Sequence, residues 1–276
     1  MVLRLLKRFG KWGYHDGVYG LDFGSPVSHI SDHLYHRWFL LFDLKNAFYS
    51  TSVSKVKSII KLKFTERKKL LEARFELQKS RQLRIFDPPE VRINPDGWDV
   101  AELTSLIMEI VTYQGFLPQG APTSPFLFRL SITESAKSRY GLYGLIKSIV
   151  SPWEISCYVD NFIISGSKPI PTDIREKVFD KISKRGFRVH KIYHRDLRHG
   201  SPTICGLRIN YAGEANKIVL PKKTIRKWRG IIGRARFDHS VELRRKINGF
   251  LASLRPIYGD KPLPQISQVL TKLFFF

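Results

Sequence analysis

The spacing of apolar residues along the chain predicts a protein that mixes strands and helices. Residues 38–43 (WFLLFD) form an apolar run that ends in a carboxylate, which is typical of a buried strand. Residues 154–165 (EISCYVDNFIIS) predict two short strands around an Asp-Asn turn, and residues 187–193 predict a further strand. A second hairpin is predicted over 203–210 and 217–220.

Helical spacing fills the stretches between these strands. Residues 53–86 are rich in Lys, Arg, Glu and Leu and predict a helix that breaks near Thr65. A turn is predicted at 94–97 (NPDG), and residues 99–112 predict the next helix. Residues 173–185 predict another helix. The helix at 99–112 is expected to bury one apolar face, made of Leu103, Leu106, Ile107 and Ile110.

Capping signals predict where three other helices begin. Ser124 is expected to cap a helix that has Pro125 in its first position, where a missing N–H costs nothing. A basic helix that opens at Pro221 is expected to bury Ile225, Trp228 and Ile232. A second basic helix, capped near Ser240, is expected to bury Leu243, Ile247, Leu251 and Leu254.

The order of these elements predicts the topology of the main sheet. From residue 38 to 193 the order is strand, helices, hairpin, helix, strand, which matches the ferredoxin-like β-α-β-β-α-β plan. In that plan the first strand lies beside the central hairpin. Asp43 at the end of the first strand and Asp160 in the hairpin are therefore expected to share a site.

Composition narrows the class of protein. The chain has 276 residues, 43% of them hydrophobic, which is enough for a sizeable core and excludes a disordered or collagen-like chain. It has no run of roughly 20 apolar residues and no signal-peptide pattern, so neither membrane insertion nor export is expected. Two cysteines, Cys157 and Cys205, cannot form a disulfide framework, and a cytoplasmic location is expected.

The charge of the chain indicates the chemistry of its partner. Lys and Arg number 47 and Asp and Glu 24, for a net charge of +23, which favours nucleic acid over an ordinary solvated surface. From Lys217 onward there are 14 basic and 3 acidic residues. Two converging carboxylates in so basic a protein suggest Mg²⁺ facing phosphate. The spacings of His29, His33 and His36, and of His190, His194 and His199, are more typical of structural histidines than of metal sites.

Three segments carry a resemblance to a known family. Residues 42–48 (FDLKNAF), 117–125 (LPQGAPTSP) and 158–161 (YVDN) resemble the palm motifs of bacterial reverse transcriptases, in particular retron, group II intron and phage-defence enzymes. The similarity extends from about Tyr19 to about Tyr258. Within it, ICGLRIN resembles the primer-grip hairpin, and NKIVLPKKTIRKWRG resembles the start of the thumb.

The resemblance implies a right-hand polymerase fold of the α+β class. Its parts would be a lead-in at 1–37, a ferredoxin-like antiparallel palm at 38–210 and a basic helical thumb at 211–276, with reduced or absent fingers. Residues 63–98 would form a charged insertion that could bind a partner or RNA. A second protein subunit could supply the fingers, since only 18 residues precede Tyr19.

The resemblance also implies roles for individual residues. Asp43 and Asp160, with the carbonyl of Leu44, would bind two Mg²⁺ ions, which Mn²⁺ could replace. Phe48 would exclude a 2′-hydroxyl. The incoming nucleotide would also contact Gln119, Gly120 and Lys191. The primer and template would contact Tyr158, Gly206, Lys222, Lys223, Arg226, Lys227 and Arg229, with Arg234 and Arg236 further along the same basic segment.

The chain departs from the family pattern at the catalytic turn and beyond. Asn161 stands where the usual YxDD motif has its second Asp, so we expect weakened metal binding. The lysine that the family carries after the glycine-phenylalanine pair falls near Tyr193, and Lys191 and His194 are alternatives for the same acid. Arg129 replaces a family asparagine.

Three functions are therefore under consideration. The first is an RNA-directed DNA polymerase that extends a primer 3′-hydroxyl with dNTPs on an RNA template, from a DNA or RNA primer. The second is a catalytically weakened subunit of the same fold that binds RNA or a partner protein in a retroelement or antiphage defence system. The third is template-independent or ribonucleotide polymerisation, and Phe48 argues against the use of ribonucleotides.

Overall fold

A computed structural model describes residues 6, 17–20, 25–81, 99–136, 141–211, 216–235, 237–238 and 240–258. The turn predicted at 94–97, the predicted insertion beyond Arg81, Arg236 and the chain after Tyr258 lie outside those residues. The expected division into 1–37, 38–210 and 211–276 stays a prediction. In the described ranges, no helix combines the length and the apolar character that crossing a membrane requires.

The described chain forms eight strands and nine helices. The strands are β1 (Val18–Tyr19), β2 (Trp38–Lys45), β3 (Glu154–Tyr158), β4 (Asn161–Gly166), β5 (Arg188–Asp196), β6 (Thr203–Ile204), β7 (Leu207–Asn210) and β8 (Lys217–Val219). The helices are α1 (Pro26–Ser31), α2 (Ala47–Ser50), α3 (Val53–Arg81), α4 (Val100–Val111), α5 (Ser124–Thr133), α6 (Leu142–Val150), α7 (Thr172–Lys184), α8 (Lys222–Arg234) and α9 (Val241–Tyr258).

The main sheet has five strands in the order β1-β3-β4-β2-β5. Strand β2 pairs antiparallel with β4, so the first strand lies beside the central hairpin, as the sequence predicted. The sheet is mixed and not wholly antiparallel, because the short strand β1, which the sequence analysis missed, pairs parallel with β3. A separate three-stranded sheet has the order β6-β7-β8, where a simple hairpin was expected.

Strand β2 is apolar at almost every position because both of its faces are covered. Leu40 and Phe42 point into the larger core, while Phe39 and Leu41 point into a second core on the other face. A strand buried on both faces has a continuous apolar run instead of an alternating one. This explains why residues 38–43 carry no polar side chain before Asp43.

The second core joins the main sheet to the small sheet and to the two basic helices. Trp228 on α8 stacks face to face on Phe250 of α9, with ring centroids 3.8 Å apart. Ile232 and Ile247 are buried beside them. Helix α9 begins after Ser240, whose hydroxyl accepts a hydrogen bond from the Leu243 amide, as predicted.

Helices α3 and α4 differ from the predictions. Helix α3 runs without a break at Thr65, whose hydroxyl donates to the Lys61 carbonyl within the helix and does not cap a second helix. Helix α4 is capped by Asp99, but its buried face is rotated from the expected one. Leu106 and Ile110 are exposed. The residues that α4 buries are Thr104, Ile107, Met108 and Val111.

Two predicted turn positions also need correction. Ser124 is the first residue of α5 and not its N-cap; its hydroxyl donates to the Pro118 carbonyl, 2.6 Å away, and Thr123 precedes the helix. The β3–β4 turn is Val159-Asp160 and not Asp-Asn, since Asn161 already pairs with Tyr158 in the ladder.

The start of α6 gives a testable steric constraint. A Cβ at Gly141 would lie 2.3 Å from the carbonyl carbon of Thr133, and backbone cannot move aside as a side chain can. We expect Gly141→Ala to lower the free energy of unfolding by about 1–3 kcal/mol, measured by urea denaturation. Gly230→Ala in α8 is the control: its Cβ would meet nothing within 4 Å, so it should stabilise by about 0.5–1 kcal/mol. Equal effects of the two changes would contradict the packing described for Gly141.

Candidate active site at the edge of the five-stranded sheet

The register of β2 against β4 brings the two predicted carboxylates together. Asp43 lies directly opposite Asn161, the residue after Asp160. The Leu44 amide donates a 3.0 Å hydrogen bond to the Asp160 carbonyl, which ties the end of β2 to the turn. Two side chains far apart in sequence thus meet at one edge of the sheet. The pairing brings the two residues together, and the expectation that they share a functional site stays a prediction.

The turn that carries Asp160 has a strained backbone. Val159 has a φ of +54°, a conformation that β-branched residues rarely adopt. In a two-residue hairpin loop, a positive φ at the first position is normally supplied by glycine. Strain of this kind persists where the surrounding structure holds it, and it is common at functional sites.

One carboxylate oxygen of Asp43 accepts a hydrogen bond, and the other has no hydrogen-bond partner. Its Oδ2 accepts a 3.0 Å hydrogen bond from Lys191 Nζ. Its Oδ1 is buried and has no hydrogen-bond partner. A buried carboxylate oxygen without a donor is costly, so a cation bound to this atom would stabilise it.

Asp160 sits in an electrostatically mixed environment. Burial raises the pKa of its carboxyl above the usual value, and the charge of Asp43 adds to that increase. The Asn161 side-chain amide donates to Asp160 Oδ1 at 3.0 Å, and this bond, together with Lys191, acts to lower the pKa. A further cation at the site would stabilise the ionised form of the Asp160 carboxyl.

Lys191 reaches Asp43 because of a bulge in β5. Leu41 pairs with Tyr193 and Asp43 with His190, so β5 has one residue more than β2 between these pairs. Lys191 lies in this bulge with a φ of +47°. Bulges redirect a side chain in this way, often beside active sites. The hydrogen bond to Asp43 raises the pKa of the Lys191 ammonium.

His194 and Tyr193, the two alternatives to Lys191 as the acid, contact other side chains. His194 Nε2 contacts Arg175 Nη1 at 2.6 Å, and the Tyr193 ring lies under the Arg195 guanidinium, 5.5 Å from its centroid. Of the three residues considered for the acid, the structure brings only Lys191 into hydrogen-bond contact with Asp43.

The donor set at this edge suits a hard divalent cation. It offers two carboxylates, an amide side chain and backbone carbonyls, which are oxygen ligands of the kind that Mg²⁺ prefers. The described part of the chain contains no group of three His, Cys, Asp or Glu residues arranged to hold a metal. The unpartnered Oδ1 of Asp43 fits such an ion, while Asn161 in place of a third carboxylate lowers the charge available to it.

The residues predicted to meet the nucleotide lie on neighbouring elements. Phe48 on α2 packs edge-on against Phe128 of α5, with ring centroids 5.8 Å apart, so it is partly a core residue. Gln119 and Gly120 are exposed, and Gly120 has a φ of +88°. Leu117, fully buried, anchors the start of their loop.

Of the predicted primer-side residues, Tyr158 and Gly206 lie near the Val159-Asp160 turn. The Tyr158 ring stacks on His29, and the Cys205-Gly206 turn of the small sheet has positive φ at both residues. Burial raises the pKa of the Cys205 thiol to about 11, and the Asp160 charge contributes, which places this turn near Asp160. Along α8, side chains that point to solvent are Lys222, Lys223, Arg226, Lys227, Arg229 and Arg234.

A buried histidine cluster lies behind Tyr158. His33 hydrogen-bonds to Ser165 on β4 at 2.5 Å and to Ser156 on β3 at 2.6 Å. His36 also reaches Ser165, at 2.7 Å. The spacing of these histidines was noted in the sequence, but their serine partners on distant strands gave no signal there. The cluster fastens the hairpin that carries Asp160.

The chain matches no family model and no curated protein. Solved structures with some similarity include apo telomerase from Candida tropicalis, 16% identical over 99% of this chain and 49% of that chain, with a TM-score of 0.48. Telomerase from Candida albicans with a fragment of telomeric RNA is 14% identical over 100% and 48% of the two chains, at 0.42. A truncated C. tropicalis telomerase is 15% identical over 80% and 44%, at 0.40. This chain spans about half the length of these structures, and TM-scores below 0.5 support no conclusion about it.

The histidine cluster predicts an acid-sensitive fold. Burial lowers the pKa of His29 to about 3, and neither ring nitrogen of His29 has a hydrogen-bond partner. Between about pH 3 and the ordinary value of 6.5, the unfolded chain therefore binds more protons at this site, and stability falls as the pH falls. His29→Phe keeps the ring and removes the titration.

We expect the pH dependence of the unfolding free energy to be less steep in His29→Phe, by up to about 1.4 kcal/mol per pH unit below pH 6. Urea denaturation across pH 4.5–7.5 measures it. His199→Phe, an exposed histidine, is the control and should leave the dependence unchanged. Parallel profiles for wild type and His29→Phe would contradict the burial of a neutral histidine.

Proposed function

We propose that this chain is an RNA-directed DNA polymerase of the bacterial reverse-transcriptase class, which extends a primer 3′-hydroxyl with dNTPs. One observation carries the proposal. Asp43 at the end of β2 lies beside the turn that carries Asp160, and a buried Asp43 oxygen lacks a hydrogen-bond partner. The net charge of +23 supports a polyanionic substrate at that site.

The carboxylates give the site its preference for divalent cations. Two such ions, when bound, would stabilise the charge on the attacking and leaving oxygens of an in-line displacement. The ions would be held by Asp43, Asp160 and the carbonyl of Leu44. The primer oxygen then forms a bond to the α-phosphorus of the dNTP as the bond to pyrophosphate breaks, and the 3′-hydroxyl loses its proton to solvent.

Lys191 has a role of its own in this proposal. Its raised pKa keeps the ammonium charged at neutral pH, beside the carboxylates. In the proposed reaction this ammonium would neutralise and protonate the leaving pyrophosphate. Phe48 would fill the space of a ribose 2′-hydroxyl, and Gln119 and Gly120 would line the nucleotide pocket.

The basic residues of α8 would contact the backbone of the template–primer duplex. Their exposure on one helix whose opposite face is buried gives a continuous cationic surface. Contacts of this kind position nucleic acid without reading its sequence. Tyr158 and Gly206, near the catalytic turn, would contact the primer end.

Primer extension on an RNA template tests the proposal. We expect Asp43→Asn and Asp160→Asn, which preserve side-chain shape, each to lower dNTP incorporation by about 100-fold or more in Mg²⁺ or Mn²⁺. Asp180→Asn is the matched control, since that carboxylate pairs with Lys184 on the exposed face of α7. Full incorporation by both active-site variants would refute the assignment.

Asn161 favours a second candidate function. Its amide donates a hydrogen bond to Asp160 Oδ1, so one ligand oxygen is already occupied, and one negative charge is lost relative to two adjacent carboxylates. A weakened site of this kind would suit a subunit that binds RNA or a partner protein in a retroelement or antiphage defence system.

Asn161→Asp distinguishes the two candidates. If the chain polymerises, the added charge should strengthen cation binding and lower the Mg²⁺ concentration for half-maximal incorporation by about tenfold. Asn210→Asp on β7 makes the same charge change away from the site and should have no such effect. Absence of incorporation in wild type and in Asn161→Asp, with salt-sensitive RNA binding in both, would favour the non-catalytic subunit.

A further inference from the structure

Three aromatic side chains lie exposed beside the loop that contains Gln119 and Gly120. Tyr113 is 66% exposed, Tyr49 53% and Phe116 40%. The rings of Tyr49 and Phe116 are in contact, with centroids 5.3 Å apart. We call these three residues the aromatic platform. Exposed apolar surface that is grouped in this way usually marks a binding site.

The platform is fixed by its backbone. The Tyr113 amide donates to the Phe116 carbonyl and the Phe116 amide to the Tyr113 carbonyl, both at 2.9 Å. Gln114 and Gly115, between them, have φ values of +50° and +79°, as a tight two-residue turn requires. Leu117, fully buried, anchors the turn from below. The rings are therefore presented to solvent by a rigid support, which lowers the entropy lost when a ligand stacks on them.

The platform connects the two segments assigned to the reaction. Tyr49 follows Phe48 on α2, directly after the strand that ends with Asp43. Phe116 directly precedes the loop at 117–120. While Phe48 turns inward onto Phe128, its neighbour Tyr49 remains outside. A ligand that lies across the platform would therefore adjoin the candidate nucleotide pocket.

Charge near the platform favours a polyanion with flat apolar groups. Lys45 and Arg188 are both exposed and face each other across β2 and β5, at the end of β2 from which α2 starts. Unpaired nucleotides combine phosphates with aromatic faces, and such bases stack on aromatic side chains whatever their sequence. A duplex keeps its base faces covered, so the fit is to a single strand.

We propose that the aromatic platform binds unpaired bases of single-stranded nucleic acid, namely the template strand ahead of the primer end. The assignment to the template rests on the proposed polymerase function; the stacking surface itself rests on the geometry of Tyr49, Tyr113 and Phe116. Leu106 and Ile110 are also exposed on α4, the helix that precedes Tyr113, and a protein partner at this surface is an outcome that the experiment separates.

Binding to two labelled RNA 12-mers tests the platform. One carries normal bases and the other carries abasic sites, so both have the same phosphates. We expect the full-length double variant Tyr113→Ala/Phe116→Ala to bind the base-bearing RNA at least about tenfold more weakly and the abasic RNA as wild type does. The salt dependence should be unchanged, because no phosphate contact is removed.

Two further variants serve as controls. The single variant Tyr113→Phe keeps a stacking ring and should retain the wild-type preference for base-bearing RNA. Tyr35→Ala removes a tyrosine that is 79% exposed elsewhere on the surface and should not alter binding. A 2-aminopurine placed in the single-stranded template overhang of a primer–template should change its fluorescence on binding wild type and not on binding the double variant.

Several outcomes would overturn the proposal. Equal weakening for base-bearing and abasic RNA, or none for either, would mean that no base stacks there. A different set of results would assign the surface to a protein partner. In that case wild type would sediment as a dimer, the double variant and Ile110→Ser would both sediment as monomers, and RNA binding would not depend on the bases. Primer extension in the same samples separates the two hypotheses: base-dependent binding without incorporation would refute the polymerase and retain the platform as a single-strand site.

Discussion

The antiparallel pairing of β2 with β4 is the constraint on which the candidate site depends. This pairing places Asp43 opposite Asn161, and a shift of one residue in the register would turn Asp43 to the other face of the sheet. Because both faces of β2 are apolar, side-chain burial alone would not forbid such a shift. The register is also held by the Leu44–Asp160 backbone hydrogen bond and by His33, which ties Ser165 on β4 to the segment that leads into β2.

Charge at the site is opposite in sign to that of the chain as a whole. Two carboxylates meet in a protein with a net charge of +23, and Lys191 offsets part of their charge through a bulge that directs it to Asp43. This tethered ammonium stabilises the carboxylate pair without a metal ion.

Strong local patterns in the sequence predicted most of the fold around the site. The run at 38–43, the hairpin at 154–165 and the order of elements were enough to place Asp43 near Asp160. Half of the predicted face of helix α4 is correct, since Ile107 is buried and Leu103 packs on the core. Leu106 and Ile110 are exposed although they are as apolar as the buried residues, and only tertiary packing distinguishes them. Strand β1 has only two residues, too few to show an alternation of apolar and polar positions in the sequence. Lys191 was favoured only weakly, since a bulge depends on two strands and is not encoded in the spacing of one.

Divalent cation binding by paired variants tests the central claim, that Asp43 and Asp160 form one site. Mn²⁺ affinity, measured by electron paramagnetic resonance, would be compared in wild type, Asp43→Asn, Asp160→Asn and the double variant. The account predicts that each single change weakens Mn²⁺ binding by about tenfold or more and that the double variant is little worse than either, because residues in one site are not additive. Independent, multiplying effects, or unchanged binding in all variants, would contradict it.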